Sequence, residues 1–221
     1  MHRVAVVVFP GVQPLDAVGP HEVFAGANQG VPDAYAVRLV AATPGPVTAE
    51  SGLRLHAEAL GDPAAVDTVL LAGGGGVGDA AADPVLVDWI GRAARHAERV
   101  ATVCSGTFLA GAAGLLDGRR VTTHWARADQ LAEAHPAAHV DPDPIYVRDG
   151  DLWTSAGVTA GIDLALALVE SDHGPDLAQT IARWLVMYLR RPGGQSQFAV
   201  PVWTDPVPPG PVRLAQDLVH A

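Results

Sequence analysis

The fold is decided by residues 99–112, which read RVATVCSGTFLAGA. A β-branched, apolar stretch ends at Cys104, and small residues with helical spacing follow at once. This pattern is typical of a strand–turn–helix elbow, which lifts one side chain above the edge of a sheet and directs helix N–H groups toward it. Because this turn is tight, it predicts a strained backbone at Cys104. Because a helix N-terminus favours an anion, the pattern predicts a lowered pKa and a nucleophilic thiolate at Cys104. The alternative is that this lone cysteine is an inert, buried apolar residue.

Length and composition limit the possible functions. The chain has 221 residues, enough for one large or two small domains with a sizeable core. Apolar residues make up 49% and charged residues 17%, with no long apolar run, which predicts a soluble globular protein without membrane contact. The N-terminus lacks a signal-peptide core and one cysteine allows no internal disulfide, so we expect a cytoplasmic protein. The net charge of −10 argues against direct binding to nucleic acid.

Strand-like and helix-like segments alternate along the chain. Continuous β-branched runs at residues 4–9, 66–71 and 99–103 predict buried strands of a parallel sheet that is covered on both faces. Apolar residues at helical spacing predict helices, among them residues 84–97 and 179–189. Alternation with short loops predicts an α/β fold: a doubly wound, mostly parallel sheet flanked by helices.

The composition changes after the last of these predicted helices. Prolines and glycines dominate residues 191–211, a density that predicts a stiff, extended linker. Residues 212–221 regain a helical pattern, with Leu214 and Leu218 four positions apart. The sequence therefore predicts one domain over residues 1–190 and a linker over 191–211. Residues 212–221 then either pack back on the domain or begin a C-terminal domain that is truncated here.

Two polar residues follow strands and are placed to serve chemistry at Cys104. Asp16 lies in an apolar stretch just past the first strand, and parallel α/β sheets bind their ligands at that edge. Burial there raises the pKa of Asp16 and lets it share a proton with a thiolate; the alternative is a helix N-cap. His124 ends the strand at residues 120–123 and fits a base or an orienting partner for the cysteine. Its alternative is a hydrogen-bonded structural histidine.

A glycine run at residues 73–76 is the third candidate feature. Its bare backbone, which includes Gly74 and Gly75, can turn N–H groups toward a developing oxyanion together with the N–H of Ser105. The run also matches the pattern GxGxxG through Gly78, but the next strand lacks the acidic residue that holds a ribose hydroxyl. We therefore predict no dinucleotide cofactor.

A pair of histidines gives no reason to expect a metal. His135 and His139 are four positions apart, but Pro136 lies between them and disfavours a continuous helix. No glutamate accompanies them as in a metalloprotease motif. The sequence predicts neither a metal site nor any other cofactor.

Five motifs together carry a family resemblance: FPGVQPLDAVGPHEVF, LLAGGGG, VCSGTFLAGAAGLLDG, RRVTTHW and TSAGVTAGIDLALALV. Through them, residues 4–189 resemble the ThiJ/PfpI superfamily, which is related to the class I glutamine amidotransferases. The resemblance implies a flavodoxin-like fold with an elbow cysteine, an acidic partner, two oxyanion-type donors and a nearby histidine. By this resemblance Cys104 is the elbow cysteine and Asp16 is its acidic partner. Gly74 and Ser105 are the oxyanion-type donors, and His124 is the nearby histidine.

This chain departs from the superfamily pattern at two positions. Ala72 stands where a proline usually precedes the glycine pair. Ser105 follows the elbow cysteine, where the nearest branches more often have threonine.

Two branches of the superfamily compete for the function. The segment RRPGGQSQF at residues 190–198 and the triplet at 172–174 resemble AraC-like transcription regulators, in which this domain is N-terminal and helix-turn-helix motifs follow. That resemblance implies a homodimeric effector-sensing domain with a small-molecule pocket over Cys104, which reaches DNA only through a C-terminal domain absent from this chain. The alternative is an isonitrile hydratase-like enzyme that uses Cys104 and Asp16 to add water to a small substrate.

Overall fold

The computed structural model describes residues 1–191 and 193–198. Strands and helices alternate along most of this part of the chain. The strands are β1 (His2–Val7), β2 (Tyr35–Ala41), β3 (Gly45–Thr48), β4 (Arg54–Ala59), β5 (Thr68–Leu71), β6 (Arg99–Val103), β7 (Arg120–Val121), β8 (His139–Val140), β9 (Tyr146–Asp149) and β10 (Leu152–Ser155). The helices are α1 (Pro14–Gly30), α2 (Val77–Ala82), α3 (Pro84–Ala94), α4 (Thr107–Ala112), α5 (Ala128–Ala134), α6 (Ala160–His173) and α7 (Pro175–Trp184).

One large sheet organises the domain. Within the described residues it has eight strands in the order β3-β4-β2-β1-β5-β6-β10-β9. The central strands β4, β2, β1, β5, β6 and β10 run parallel, and the edge strands β3 and β9 are antiparallel to their neighbours. This confirms the predicted doubly wound, mostly parallel α/β fold.

The order of the strands reverses beside β1. The chain leaves β1 for β2 on one side and returns to β5 on the other, so β1 and β5 flank a switch point. Right-handed crossovers in the two directions place helices on opposite faces of the sheet. Helices α1, α6 and α7 pack together as one group, and α2, α3 and α4 as another. Ligands of such sheets bind at the carboxyl ends of the strands around the switch point.

The core lies where the sequence is richest in β-branched residues. The last four residues of β1 and all residues of β5 and β6 are buried, since helices cover the sheet on both sides. No helix in the described ranges is long and apolar enough to cross a membrane.

Two predicted elements differ from the structure. The strand expected at residues 120–123 shortens to β7, which pairs with β8 in a separate two-stranded sheet and not with the main sheet. The helix predicted over residues 179–189 was wrong at both ends. It begins at Pro175, which suits the first helical position, and ends at Trp184 because Val186 adopts a left-handed φ of 54°. Of the linker predicted over 191–211, residues 191 and 193–198 are described; they are not extended, since residues 195–198 form a 3-10 turn and Gln195 is buried against the domain. The rest of the linker and the second-domain start, from position 199 onward, lie outside the described residues.

Candidate functional site

The elbow at Cys104 forms as the sequence predicts. β6 ends at Val103, Cys104 takes a φ of 57°, and a short 3-10 turn leads into α4. A left-handed φ is costly for a residue with a side chain, so the predicted backbone strain at Cys104 is confirmed. An added Cβ on Gly106 would lie 2.1 Å from the Leu71 carbonyl oxygen, so glycine is required for the elbow to sit against β5.

Asp16 is fully buried at the switch point. Its Oδ2 accepts the N–H of Gly73 at 3.0 Å, and its Oδ1 accepts the N–H of Val158 at 2.9 Å. The carboxyl therefore ties α1 to the loops that follow β5 and β10. The alternative role of Asp16 as a helix N-cap is wrong, because Gln13 caps α1 and accepts the N–H of Leu15 with its side chain.

Asp16 and Cys104 form an acid–thiol pair in a poorly solvated place. Burial raises the pKa of Asp16 to about 7, although the N–H groups of Val158 and Gly73 and a hydrogen bond with the Cys104 thiol oppose this rise. Burial and the nearby Asp16 charge raise the pKa of Cys104 to about 12, although the N–H and hydroxyl of Ser105 oppose it. The expected low pKa of the thiol was therefore wrong, since desolvation outweighs the N–H groups at the elbow.

The raised pKa values assign the protons of this pair. Near neutral pH, Asp16 is partly ionised while Cys104 keeps its proton. An ionised Asp16 beside the thiol can take this proton when the site holds a bound electrophile against the sulfur, whereas toward a reagent from solution its charge suppresses the thiolate. The pair therefore suits a thiol that loses its proton to Asp16 during the reaction, and it disfavours a thiolate that is present before the reaction begins.

The glycine loop after β5 reaches the elbow through Ser105. The N–H of Gly74 donates to Ser105 Oγ at 3.0 Å, and this hydroxyl lies 3.3 Å from the Gly74 carbonyl, to which it can donate. The N–H of Gly75 donates to Glu50 Oε2 at 2.8 Å. The proposed oxyanion donors Gly74 and Gly75 thus already have acceptors, while the N–H of Ser105 faces the Cys104 sulfur. Their role in catalysis stays a prediction.

His124 lies near the elbow and is held by its own loop. Its Nδ1 accepts the N–H of Ala126 at 3.2 Å, and its ring is 5.3 Å from that of Trp125. Burial and the charge of Arg127 lower the pKa of His124, so it is neutral at physiological pH. Among the described residues no hydrogen bond joins His124 to Cys104. Its role as a base or orienting partner stays a prediction.

A small cavity lies beside the elbow. It has a volume of about 160 Å³, and its wall includes His124, Gly157, Val158, Arg191 and Gln195. A larger cavity of about 550 Å³ lies beyond the ends of β1 and β2, and none of the predicted site residues lines it. Of the predicted site residues, His124 lines the smaller cavity, while Cys104 and Asp16 line neither.

Sequence reasoning missed the loop after β10. Gly157 has a φ of 110° and Val158 one of 51°; Gly157 lies against the Cys104 thiol, and the N–H of Val158 donates to Asp16. An added Cβ on Gly157 would lie 2.8 Å from the Cys104 sulfur, so glycine is needed for this close approach. The signal was the small-residue run between a strand and a helix in TSAGVTAG, which gives no indication of a contact with Asp16.

Glu50 was also missed. It reaches the site from the turn between β3 and β4, where its carboxylate accepts from Gly75 and from Gln13 Nε2 at 2.7 Å. Its charge contributes to the raised pKa values of both Asp16 and Cys104. No group of three or more His, Cys, Asp or Glu side chains within the described ranges is placed to hold a metal ion.

The part of the chain that carries the elbow and the buried acid matches a known family. The model of the DJ-1/PfpI family matches residues 2–171. The chain belongs to the DJ-1/PfpI family. This confirms the resemblance drawn from the five motifs.

Relatives of this DJ-1/PfpI domain include an isonitrile hydratase and HTH-type transcriptional regulators. It is 40% identical over 180 residues to the isonitrile hydratase of Pseudomonas putida, an alignment that covers 81% of this chain and 75% of the hydratase. It is 32% identical over 186 residues to the HTH-type transcriptional regulator CdhR of Pseudomonas aeruginosa, covering 84% of this chain. The chain spans 55% of the length of that regulator.

Solved structures of the family share the fold. A ThiJ/PfpI family protein from Pseudomonas syringae superposes with a TM-score of 0.75 at 28% identity, covering 99% of this chain and 85% of its own. An AraC family transcriptional regulator from Pseudomonas putida superposes with a TM-score of 0.73 at 20% identity, covering 84% of this chain and all of its own. At 20% identity, the similarity to this AraC family regulator concerns the fold alone.

Proposed function

We propose that this chain is the effector-sensing and dimerisation domain of an AraC-like transcription regulator. The observation that carries the proposal is the match to HTH-type regulators. CdhR, GbdR of Pseudomonas aeruginosa and GlxA of Rhizobium meliloti are each 32% identical to this chain over 152 or more residues. The aligned part amounts to 55%, 42% and 46% of their lengths, so these regulators contain a DJ-1/PfpI domain and further sequence.

In this proposal the effector is a small molecule bound in the cavity beside Cys104. The cavity wall carries the polar side chains of His124 and Arg191 among apolar residues, and Cys104 lies behind Gly157 of the same wall, which suits a small ligand with a polar end. The net charge of −10 repels phosphates, so a DNA-binding domain outside this chain makes the DNA contacts. Residues 1–190 form the sensing domain, and 191–211 form the linker, whose first part is held on the domain by Arg191 and Gln195. Residues 212–221 start the further domain, and the regulator acts in the cytoplasm.

Dimerisation follows from how such regulators use paired DNA sites. A twofold-symmetric sensing domain holds two DNA-binding heads at a fixed spacing. Sedimentation velocity of the purified chain tests this part of the proposal. A mass of twice 22.8 kDa is expected, and a monomer at micromolar concentration would contradict it.

The coding sequence beyond the codon for Ala221 tests the regulator proposal as a whole. We expect about a hundred further residues, basic in composition and with two helix-turn-helix patterns. A stop codon directly after Ala221 would contradict the proposal and favour the enzyme below.

A second candidate function is isonitrile hydration, which the Asp16–Cys104 contact and the 40% identity to the hydratase favour. Ionised Asp16 takes the thiol proton as the sulfur adds to the terminal carbon of the isonitrile, and it then returns this proton to that carbon. Water adds to the resulting thioimidate carbon and the C–S bond breaks. The sulfur regains a proton and an N-substituted formamide leaves, so the net change is the addition of one water.

Turnover of a small alkyl isonitrile separates the two functions. If formamide forms, and is lost in both Cys104→Ala and Asp16→Asn, the chain is a hydratase and the sensor proposal fails. If the parent protein binds the isonitrile without forming formamide, the enzyme proposal fails.

A further inference from the structure

The chain after α7 folds back over the site and is anchored first at Arg191. Its guanidinium binds the buried Asp163 carboxylate of α6 in a two-pronged contact, with Nε donating to Oδ1 at 2.9 Å and Nη2 donating to Oδ2. Nη1 also donates to Thr159 Oγ1 at 3.3 Å. A bidentate pair with a buried carboxylate fixes the start of this segment against α6.

Gln195 is the second anchor. It is 2% exposed, and both ends of its amide have partners. Oε1 accepts the N–H of Trp125 at 2.8 Å, while Nε2 donates to the Thr123 carbonyl at 2.8 Å and to Thr122 Oγ1 at 3.1 Å. Its backbone N–H donates to the Asp143 carbonyl at 2.7 Å. A buried glutamine with this many partners holds the loop after β7 in one position.

Two hydrogen bonds then connect Gln195 to the elbow. Gln195 Nε2 donates to the carbonyl of Thr123, and Thr123 Oγ1 donates to the carbonyl of Cys104 at 2.7 Å. Cys104 is the strained residue of the elbow, so its backbone depends on such partners to keep its left-handed φ.

The same segment also walls the cavity beside the thiol. Arg191, Gln195 and Phe198 line this cavity together with Gly157, whose backbone separates it from the Cys104 sulfur. A ligand or adduct that enlarges the cavity therefore presses on Gln195 from one side and on the loop over the thiol from the other.

We propose that residue 191 together with residues 193–198, defined here as the strap, transmits occupancy of this cavity, or an adduct on Cys104, to the chain beyond residue 198. This inference rests on the proposed sensing function and supplies its output. A ligand in the cavity or an adduct on Cys104 loosens the Gln195 anchor, and a loosened anchor in turn favours binding there, because the coupling free energy between two sites is reciprocal. Gln195 is a positioning residue that acts on Cys104 through Thr123.

The first test uses the purified parent protein and iodoacetamide, which places a small amide on its single cysteine. Hydrogen–deuterium exchange is followed in peptides that cover the strap. We expect alkylation to speed exchange of the Gln195 amide about tenfold, the effect of losing roughly one buried hydrogen bond. Exchange in β2 is the internal control and should not change. Unchanged exchange in the strap after complete alkylation would overturn the proposal.

The second test works in the opposite direction. Gln195→Leu removes the amide contacts, and Gln130→Leu makes the same change at an exposed glutamine of α5. We expect the rate of Cys104 alkylation to rise about tenfold in Gln195→Leu and to stay at the parent value in Gln130→Leu. Equal rates in the two variants would overturn the proposal.

Neither test depends on DNA or on the natural effector. The coupling proposal can therefore be refuted while the regulator proposal stands. If the chain proves not to be a regulator, the two experiments still decide whether the strap and Cys104 are coupled. If Gln195→Leu does not fold, the exchange experiment on the parent protein decides the question alone.

Discussion

The pH dependence of Cys104 alkylation is the sharpest test of the acid–thiol pair. A pKa of about 12, where the ordinary value is 9.0, lowers the thiolate fraction at pH 8 by about a thousandfold relative to a free cysteine. Alkylation by iodoacetamide should be slower by a similar factor. Since this chain has one cysteine, the measured rate belongs to Cys104 alone.

Asp16→Asn removes the nearby negative charge that raises the pKa of Cys104. Ionisation of Asp16 near pH 7 is what places this charge beside the sulfur. Above pH 7 the variant should therefore react about 10- to 100-fold faster than the parent, and below pH 7 the two rates should converge. Asp176→Asn, at the exposed start of α7, is the matched control and should follow the parent throughout.

Two results would refute this reasoning. An alkylation rate in the parent equal to or above that of a free thiol would mean that burial does not control the sulfur. A variant slower than the parent above pH 7 would mean that Asp16 acts on iodoacetamide as a base and that its charge does not suppress the thiolate.

Three further predictions concern stability. The folded protein keeps a proton on Asp16 up to pH 7 that the unfolded chain loses near 3.8, so the free energy of unfolding should fall between these values by up to about 4 kcal/mol. Urea denaturation at pH 4.5 and pH 8 should show this fall in the parent and a smaller one in Asp16→Asn. Gly157→Ala should cost about 2–4 kcal/mol, since its Cβ would lie 2.4 Å from that of Cys104 at a φ of 110°. Asp172→Ala should cost about 3–5 kcal/mol, because it leaves the buried Arg99 guanidinium unpaired.

Matched substitutions control for these stability effects. Gly78→Ala meets no atom within 4 Å of the new Cβ and should be neutral or slightly stabilising. Asp88→Ala breaks an exposed pair with Arg92 and should cost under about 1 kcal/mol. Equal losses at Gly157 and Gly78, or at Asp172 and Asp88, would contradict the packing and ion-pair arguments.

The parts of the site that were predictable from sequence are those that depend on neighbours along the chain. The elbow at Cys104 follows from a β-branched strand that runs directly into small residues, and its strained φ was expected on that ground. Asp16 was placed correctly because it follows the first strand of a parallel sheet, so its carboxyl meets the next strand ends.

The rest depends on contacts between distant segments. Val158 binds Asp16 from 142 positions later in the chain, and Gln195 binds Thr123 from 72 positions later. The residues next to Val158 and Gln195 in the sequence do not reveal these partners. The pKa of Cys104 was predicted in the wrong direction because the sequence shows the elbow N–H groups and not the depth of burial around the sulfur.

Gly157 makes the elbow sensitive to the size of whatever is bonded to the sulfur. The backbone of this glycine lies so close to the thiol that not even a methyl group fits between them. An oxygen or carbon added to the sulfur on that side must displace the loop at residues 157–158, which leads directly into α6. The space open to a group on the Cys104 sulfur is therefore set by the backbone that leads into α6.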